Sequence, residues 1–342
     1  MYKIFFFLII SICISAQKTE FIKLDQSIKD RKSLTKSLTL IDNRTDKEVG
    51  ILIAKKGTAE VKLINEDLKT YVENWFESDN KIKGNNDIVL ILEELKVYNE
   101  KAPNDLADYP KVRIKISSFL KRNDRYYFID RFNNVFVEDN TDPKAAKNIA
   151  KDISEIISEF IKYSYSGLVL KNQIPENELE NYETYLSKNN KSKNNSSLTD
   201  GVYLSFKSFF DQTPSAQHTL EKNKQGEIKK IVNKQDFKIS MSEVFCYVNN
   251  GIAYRFTANG FKEIKKNDNG YYIIASRSQL FAEKVGTGAM IGGIAGGMVG
   301  AMVGAEIDSE SNKGVAKGFG FKTPTITKVY IDALTGEFIF TE

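Results

Sequence analysis

The chain has 342 residues, of which 41% are hydrophobic, 11% aromatic and 27% charged, with a formal net charge of +4 and two cysteines. That balance excludes an intrinsically disordered chain, and the length suffices for two ordinary domains with cores of their own. With so few cysteines, stability must come from burial rather than from a disulfide framework.

The first residues, MYKIFFFLIISICISAQ, have the form of an export signal (residues 1–16). Lys3 supplies the positive end, Ile4 to Ile12 the apolar run, and Ile14-Ser15-Ala16 a small-residue cleavage site before Gln17. The apolar run is shorter than the ~20 residues a bilayer span needs. Cys13 follows Ile12 rather than the Gly or Ala of a lipid-attachment box. Cleavage removes one Lys and no acid, leaving a charge of +3 and Cys246 as the remaining thiol. In VFCYV, Cys246 shares a face with Val244 and Val248 and reads as a small buried hydrophobe.

Residues 33–64 alternate as strands in SLTLID, VGILIA and AEVKLI. Asn65 is the expected N-cap of a helix through Ser78, with Leu68, Tyr71, Val72, Trp75 and Phe76 on one face. Three long strands are predicted at 87–98, 111–122 and 125–139. A helix follows, with Asp142 as N-cap, Pro143 at its first position and a stripe of Ala145, Ile149, Ile153, Ile156, Ile157 and Phe160. Residues 17–168 thus read as an α+β domain, an antiparallel sheet with helices on one face. Residues 169–199, rich in Asn, Lys and Ser, read as a polar linker with a short helix at Glu176–Leu186. Residues 200–342 read as a β-rich domain. Its strands are GVYLSFKSFF, KISMSEVFCYVNN, GIAYRFTANGFKEI and GYYIIASRSQLF, and a closing pair turns at Leu334-Thr335-Gly336.

Into that last domain is set GAMIGGIAGGMVGAMVGAE. Gly288, Gly292, Gly296, Gly300 and Gly304 recur at every fourth position within 21 uncharged residues, 285–305. In a water-exposed helix each would cost roughly 1 kcal/mol relative to Ala. Small residues in this register flatten one helix face so that another backbone can approach closely. The segment reads as a helix or helical hairpin. A single membrane span is disfavoured, because the closing strands need the sheet of residues 200–276 as a partner and a lone crossing would separate them.

Two resemblances follow from these residues. DGVYLSFKSFFDQTPS, with Gly201, Val202, Tyr203, Phe206, Phe209, Pro214 and Ser215, then Gly251, Tyr254, Gly270 and Tyr271, resembles a domain recurring in exported proteins of Bacteroidota. It covers about a quarter of the chain and implies location and architecture but no activity. The 285–305 segment is similar to the glycine zippers of bacterial envelope proteins.

Constellations for chemistry are thin. His218 lies in a polar connection, too alone for a zinc site or a framed Ser-His-acid device. Glu93 and Glu94, as strand neighbours, are expected on opposite faces, and Asp105 and Asp108 sit among turn formers; Glu138-Asp139 is the third acidic pair. No phosphate-cradling loop, calcium loop or nucleophile elbow occurs. Lys111, Arg113 and Lys115 share a strand face opposite Val112, Ile114 and Ile116, and are expected to form a solvated face.

The resulting expectation is an exported envelope protein, in the periplasm or at the outer membrane or cell surface. Its role would be non-enzymatic: binding, structural or assembly, with membrane or self-association through 285–305 and no cofactor, metal or nucleic acid. A membrane-inserting pore-forming protein and a carboxylate-dependent hydrolase are the alternatives.

Overall fold

The computed structural model describes residues 18–54, 57–101, 108–138, 141–167, 169–194, 197–224, 228–240, 243–257, 260–280, 315–316, 320–321 and 326–340. The predicted export signal (1–16) and the glycine segment (285–305), with Gly288, Gly292, Gly296, Gly300 and Gly304, lie outside the described residues. The fold is mixed α+β and strand-rich, with several sheets. No helix among the described residues is long and apolar enough to cross a membrane.

The N-terminal half runs β1 (Lys18–Ile22), β2 (Thr35–Asp42), β3 (Gly50–Ala54), β4 (Gly57–Leu63), α1 (Leu68–Asp79), β5 (Asn86–Lys101), β6 (Asp108–Arg122), β7 (Arg125–Val137) and α2 (Ala145–Ser164). β1 precedes the alternating window and pairs parallel to β4, with β3 on the other side of β4. β2 lies parallel to β5, whereas β5, β6 and β7 form long antiparallel ladders. Both helix starts fall later than expected. Asp67, not Asn65, caps α1 by accepting from Thr70 N–H at 3.0 Å, while Asn65 Oδ1 accepts from Asp67 N–H at 2.9 Å in the preceding turn. Asp142 accepts from Lys144 N–H at 2.7 Å, and the helix begins at Ala145. The predicted apolar stripe of α2 is buried throughout.

The polar stretch after α2 is built into the fold. It carries β8 (Gln173–Pro175), a 3₁₀ turn at Glu176–Glu178, α3 (Tyr182–Lys188) and α4 (Lys191–Asn194). β8 pairs with the start of β7 and completes the sheet order β2-β5-β6-β7-β8. Leu170, Ile174, Leu179, Tyr182 and Leu186 are buried among otherwise polar neighbours. This corrects the linker expectation: a few well-spaced apolar side chains suffice to dock a segment whose average composition looks like solvent-exposed chain.

The C-terminal half contains β9 (Gly201–Tyr203), α5 (Phe206–Phe210), β10 (His218–Lys222), β11 (Ile228–Asn233), β12 (Cys246–Asn249), β13 (Ile252–Thr257), β14 (Gly260–Glu263), β15 (Lys265–Asn267), β16 (Gly270–Ala275), α6 (Arg277–Leu280), the short pair β17 (Val315–Ala316) and β18 (Gly320–Phe321), β19 (Thr327–Ile331) and β20 (Phe338–Ile339). GVYLSFKSFF is therefore not one strand. Ser205 and Ser208 form a capping box, which opens a helical turn that buries Phe206, Phe209 and Phe210. Asn250 and Gly251, both at positive φ (54° and 74°), make the hairpin turn between β12 and β13. The two four-stranded sheets have the orders β14-β13-β12-β9 and β15-β16-β19-β20.

One apolar cluster extends from Ile22 through the large sheet and α2 to Phe340, so the halves share a core rather than holding one each. A small satellite cluster of Val202, Ile231 and Val244 lies beneath β10 and β11.

Candidate functional site

The chemistry-bearing groups converge where β5, β6 and β7 meet α3 and the closing hairpin. Along β6, Val112, Ile114 and Ile116 are fully buried in one row. The alternate row, expected to be a solvated cationic face, is covered and neutralised. Lys111 is fully buried and pairs with Glu100. Arg113 Nε meets Glu94 Oε2 at 3.1 Å and its Nη2 donates to Asn133. Lys115 lies between Glu93, at 3.1 Å, and Glu183 of α3.

This pairing depends on a β-bulge that overturns the expectation for Glu93 and Glu94. The register passes from Leu92↔Ile116 to Glu94↔Lys115, leaving Glu93 as an extra residue on β5. Two residues oppose one, so consecutive carboxylates reach the same row of β6. Glu93 Oε2 accepts from Ser117 Oγ at 3.0 Å and Tyr182 OH at 2.9 Å, and the two hydroxyls lie 2.7 Å apart.

From there the network enters the core. Arg131 of β7 makes a two-pronged contact with Asp332, Nε to Oδ2 at 3.0 Å and Nη2 to Oδ1 at 2.8 Å, and its Nη1 meets Glu183 at 2.9 Å. Burial alone would lower the Arg131 pKa, but Asp332 holds it well above the ordinary value. Burial likewise opposes ionisation of Asp332 and Glu183, yet Arg131 keeps both carboxyls below the usual range. Tyr182 wedges its ring edge-on against Phe119 at 5.0 Å, placing its hydroxyl on Glu93 and Ser117.

Beside this pair, β7 and the closing hairpin enclose a cavity of about 30 Å³ lined by Asp130, Asn134, Asp332, Thr335 and Glu337 among others. Asn134 clamps the hairpin, donating to Phe338 O and accepting from Phe340 N–H, both at 3.1 Å. Burial, aided by repulsion from Glu337, pushes the Asp130 carboxyl up to about 7. Burial also lowers the Lys207 ammonium to about 8, although Asp130 partly restores it. Tyr163 of α2 is pushed up to about 12 by burial and by these two acids. The cavity has room for a water or two and none for an organic substrate. The group can hold and release a proton near neutrality. At that size the cavity is not the deep cleft in which a carboxylate hydrolase holds its substrate.

The residues singled out in the sequence are dispersed. His218 Nδ1 lies 2.7 Å from Ser215 Oγ in a local turn, and Cys246 is fully buried with its thiol pushed well up by desolvation. Asp105 and Asp139 lie outside the described residues, as do Gly288, Gly292, Gly296, Gly300 and Gly304. Sequence reasoning passed over Asp130, Arg131, Lys207, Asp332 and Glu337. The available signal was charge inside otherwise apolar strand runs, FIDRF and VYIDA. No family model, no curated protein and no solved structure matches the chain.

Proposed function

We propose that this is an exported cell-envelope protein with a non-enzymatic binding, structural or assembly role, in which residues 285–305 mediate close helix packing or membrane association. The observation that supports this most is the pairing of β16 with β19, in which Ala275 faces Thr327 and Tyr272 faces Tyr330. The chain leaves the sheet after β16 and re-enters at the same end. Paired strand residues have Cα atoms about 5 Å apart, so a lone crossing of a hydrocarbon core of about 30 Å between them is geometrically excluded. An out-and-back excursion with glycine at every fourth position suits helix-on-helix contact within a hairpin or between copies.

Cell fractionation with carbonate extraction, combined with N-terminal mass spectrometry, tests the reading. The expected result is a chain beginning at Gln17 in the envelope fraction, membrane-associated or oligomeric. A full-length chain retained inside the cell overturns export. Recovery of the processed chain as a soluble monomer overturns the packing and membrane roles together.

A further inference from the structure

We propose that the lysine-rich unit formed by residues 218–224 and 228–240 docks on an anionic lipid bilayer, with Phe237 as the side chain that enters the headgroup region. β10 and β11 pair antiparallel, and after Asn233 the chain reverses through a turn fixed by its own hydrogen bonds. Asn233 N–H donates to Phe237 O and Phe237 N–H to Asn233 Oδ1, both at 3.0 Å. Gln235 N–H donates to the same Oδ1 at 2.9 Å, and Asp236 sits at φ 60°. Ile239 N–H then donates to Ile231 O at 3.1 Å, stitching the returning segment beside β11. Leu220, Ile228 and Ile239 anchor the unit on the satellite cluster. Phe237 takes no part in that anchoring and is 69% exposed.

Lys234 and Lys238 flank this ring in the chain and are exposed, while Lys222, Lys224 and Lys229 are exposed toward the other end of the hairpin, where Lys222 pairs with Ile228; among the described residues none of the five enters an ion pair. Lys230 is neutralised by Glu221 at 3.0 Å, and Asp236 is the acid in the turn itself. An exposed aromatic gains free energy from an apolar environment and lysines gain it from a negative one. The interface of an anionic bilayer supplies both within a few ångströms. Single-stranded nucleic acid is the poorer fit, because stacking successive bases needs a row of rings and this turn presents one. A turn already held by its own hydrogen bonds loses little freedom on docking.

The inference rests on the envelope reading and is tested separately from it. The chain from Gln17 is sedimented with vesicles of phosphatidylcholine alone and of phosphatidylcholine mixed with phosphatidylglycerol. Binding is expected to the mixed vesicles only, weakening as salt rises. Phe237→Ser should weaken it about tenfold, and Lys234→Glu with Lys238→Glu about tenfold or more. Ile82→Ser, at an exposed apolar side chain in the loop after α1, should leave binding unchanged. Phe237→Trp should shift its emission to the blue with mixed vesicles only. Equal binding by wild type and Phe237→Ser with an unshifted tryptophan overturns the inference while leaving membrane association to another segment. Failure of the wild type to bind the mixed vesicles, or tighter binding to single-stranded DNA than to them, also overturns it. Fractionation decides export in each case.

Discussion

Lys111, Arg113 and Lys115 of β6 and Lys229, Lys234 and Lys238 of the β10–β11 unit are similar chemistry in two settings. In the first, every cation meets a carboxylate: Glu100 and Glu94 from β5, and Glu93 and Glu183 together on Lys115. In the second, the lysines are exposed with no ion pair among the described residues, and Lys234 and Lys238 flank the exposed ring of Phe237. The basic run expected to form a solvated face is thus internally neutralised, whereas the one that drew no notice in the sequence presents exposed lysines with no ion pair among the described residues. Which cations are available is decided by acids distant in sequence, so a run of Lys and Arg carries no partner information until its facing elements are known.

Four measurements would break or sharpen this contrast. The largest effect should come from the buried end of the first network. Arg131→Leu leaves Asp332 ionised without its cation, and the expected loss is about 3–5 kcal/mol of unfolding free energy, read from the urea midpoint. A further substitution, Asp332→Leu, should recover much of that loss, because two apolar groups need no counter-charge.

Asp130→Asn should act in the opposite direction and depend on pH. The folded carboxyl titrates at about 7 against an ordinary value of 3.8. Folding therefore favours the protonated form. Its stabilising contribution is complete below the ordinary value and is lost as pH rises toward about 7. The variant should be indistinguishable from wild type near the acid end of that window. Above it the variant should be about 2–4 kcal/mol more stable, by chemical denaturation at a series of pH values. A flat difference across the window would show that Asp130 is solvated.

A smaller loss is expected from Lys115→Ala, which leaves Glu93 and Glu183 facing each other: about 1–3 kcal/mol. The smallest should come from Lys234→Ala with Lys238→Ala, within about 0.5 kcal/mol of wild type in thermal or urea unfolding. If those two lysines cost as much as Lys115, the distinction between neutralised and free cations would fail.

Much of the framework was legible in the sequence. Period-two alternation identified β2 to β7, the 3.6-residue stripe identified α2, and the need of the closing strands for a partner was met by β19 pairing with β16. What alternation could not locate was the extra residue at Glu93, because a bulge leaves the apolar pattern almost unchanged while turning the next side chain to the other face. Composition misrepresented residues 169–199, where five apolar side chains dock a segment that is otherwise polar. At Ser205 a local capping box overrode the strand-like reading of the phenylalanines around it.

By itself, then, the sequence determined the α+β character, most strand positions, the helical stripe of α2 and the glycine register of 285–305. These follow from short-range periodicity and backbone sterics, which act over a few residues. Only the tertiary structure decided that the halves share one core, that Arg131 meets Asp332 across 201 positions of chain, and which lysines lack an ion pair among the described residues. Those outcomes turn on desolvation and charge pairing between distant segments, and such interactions have no period for a sequence to display.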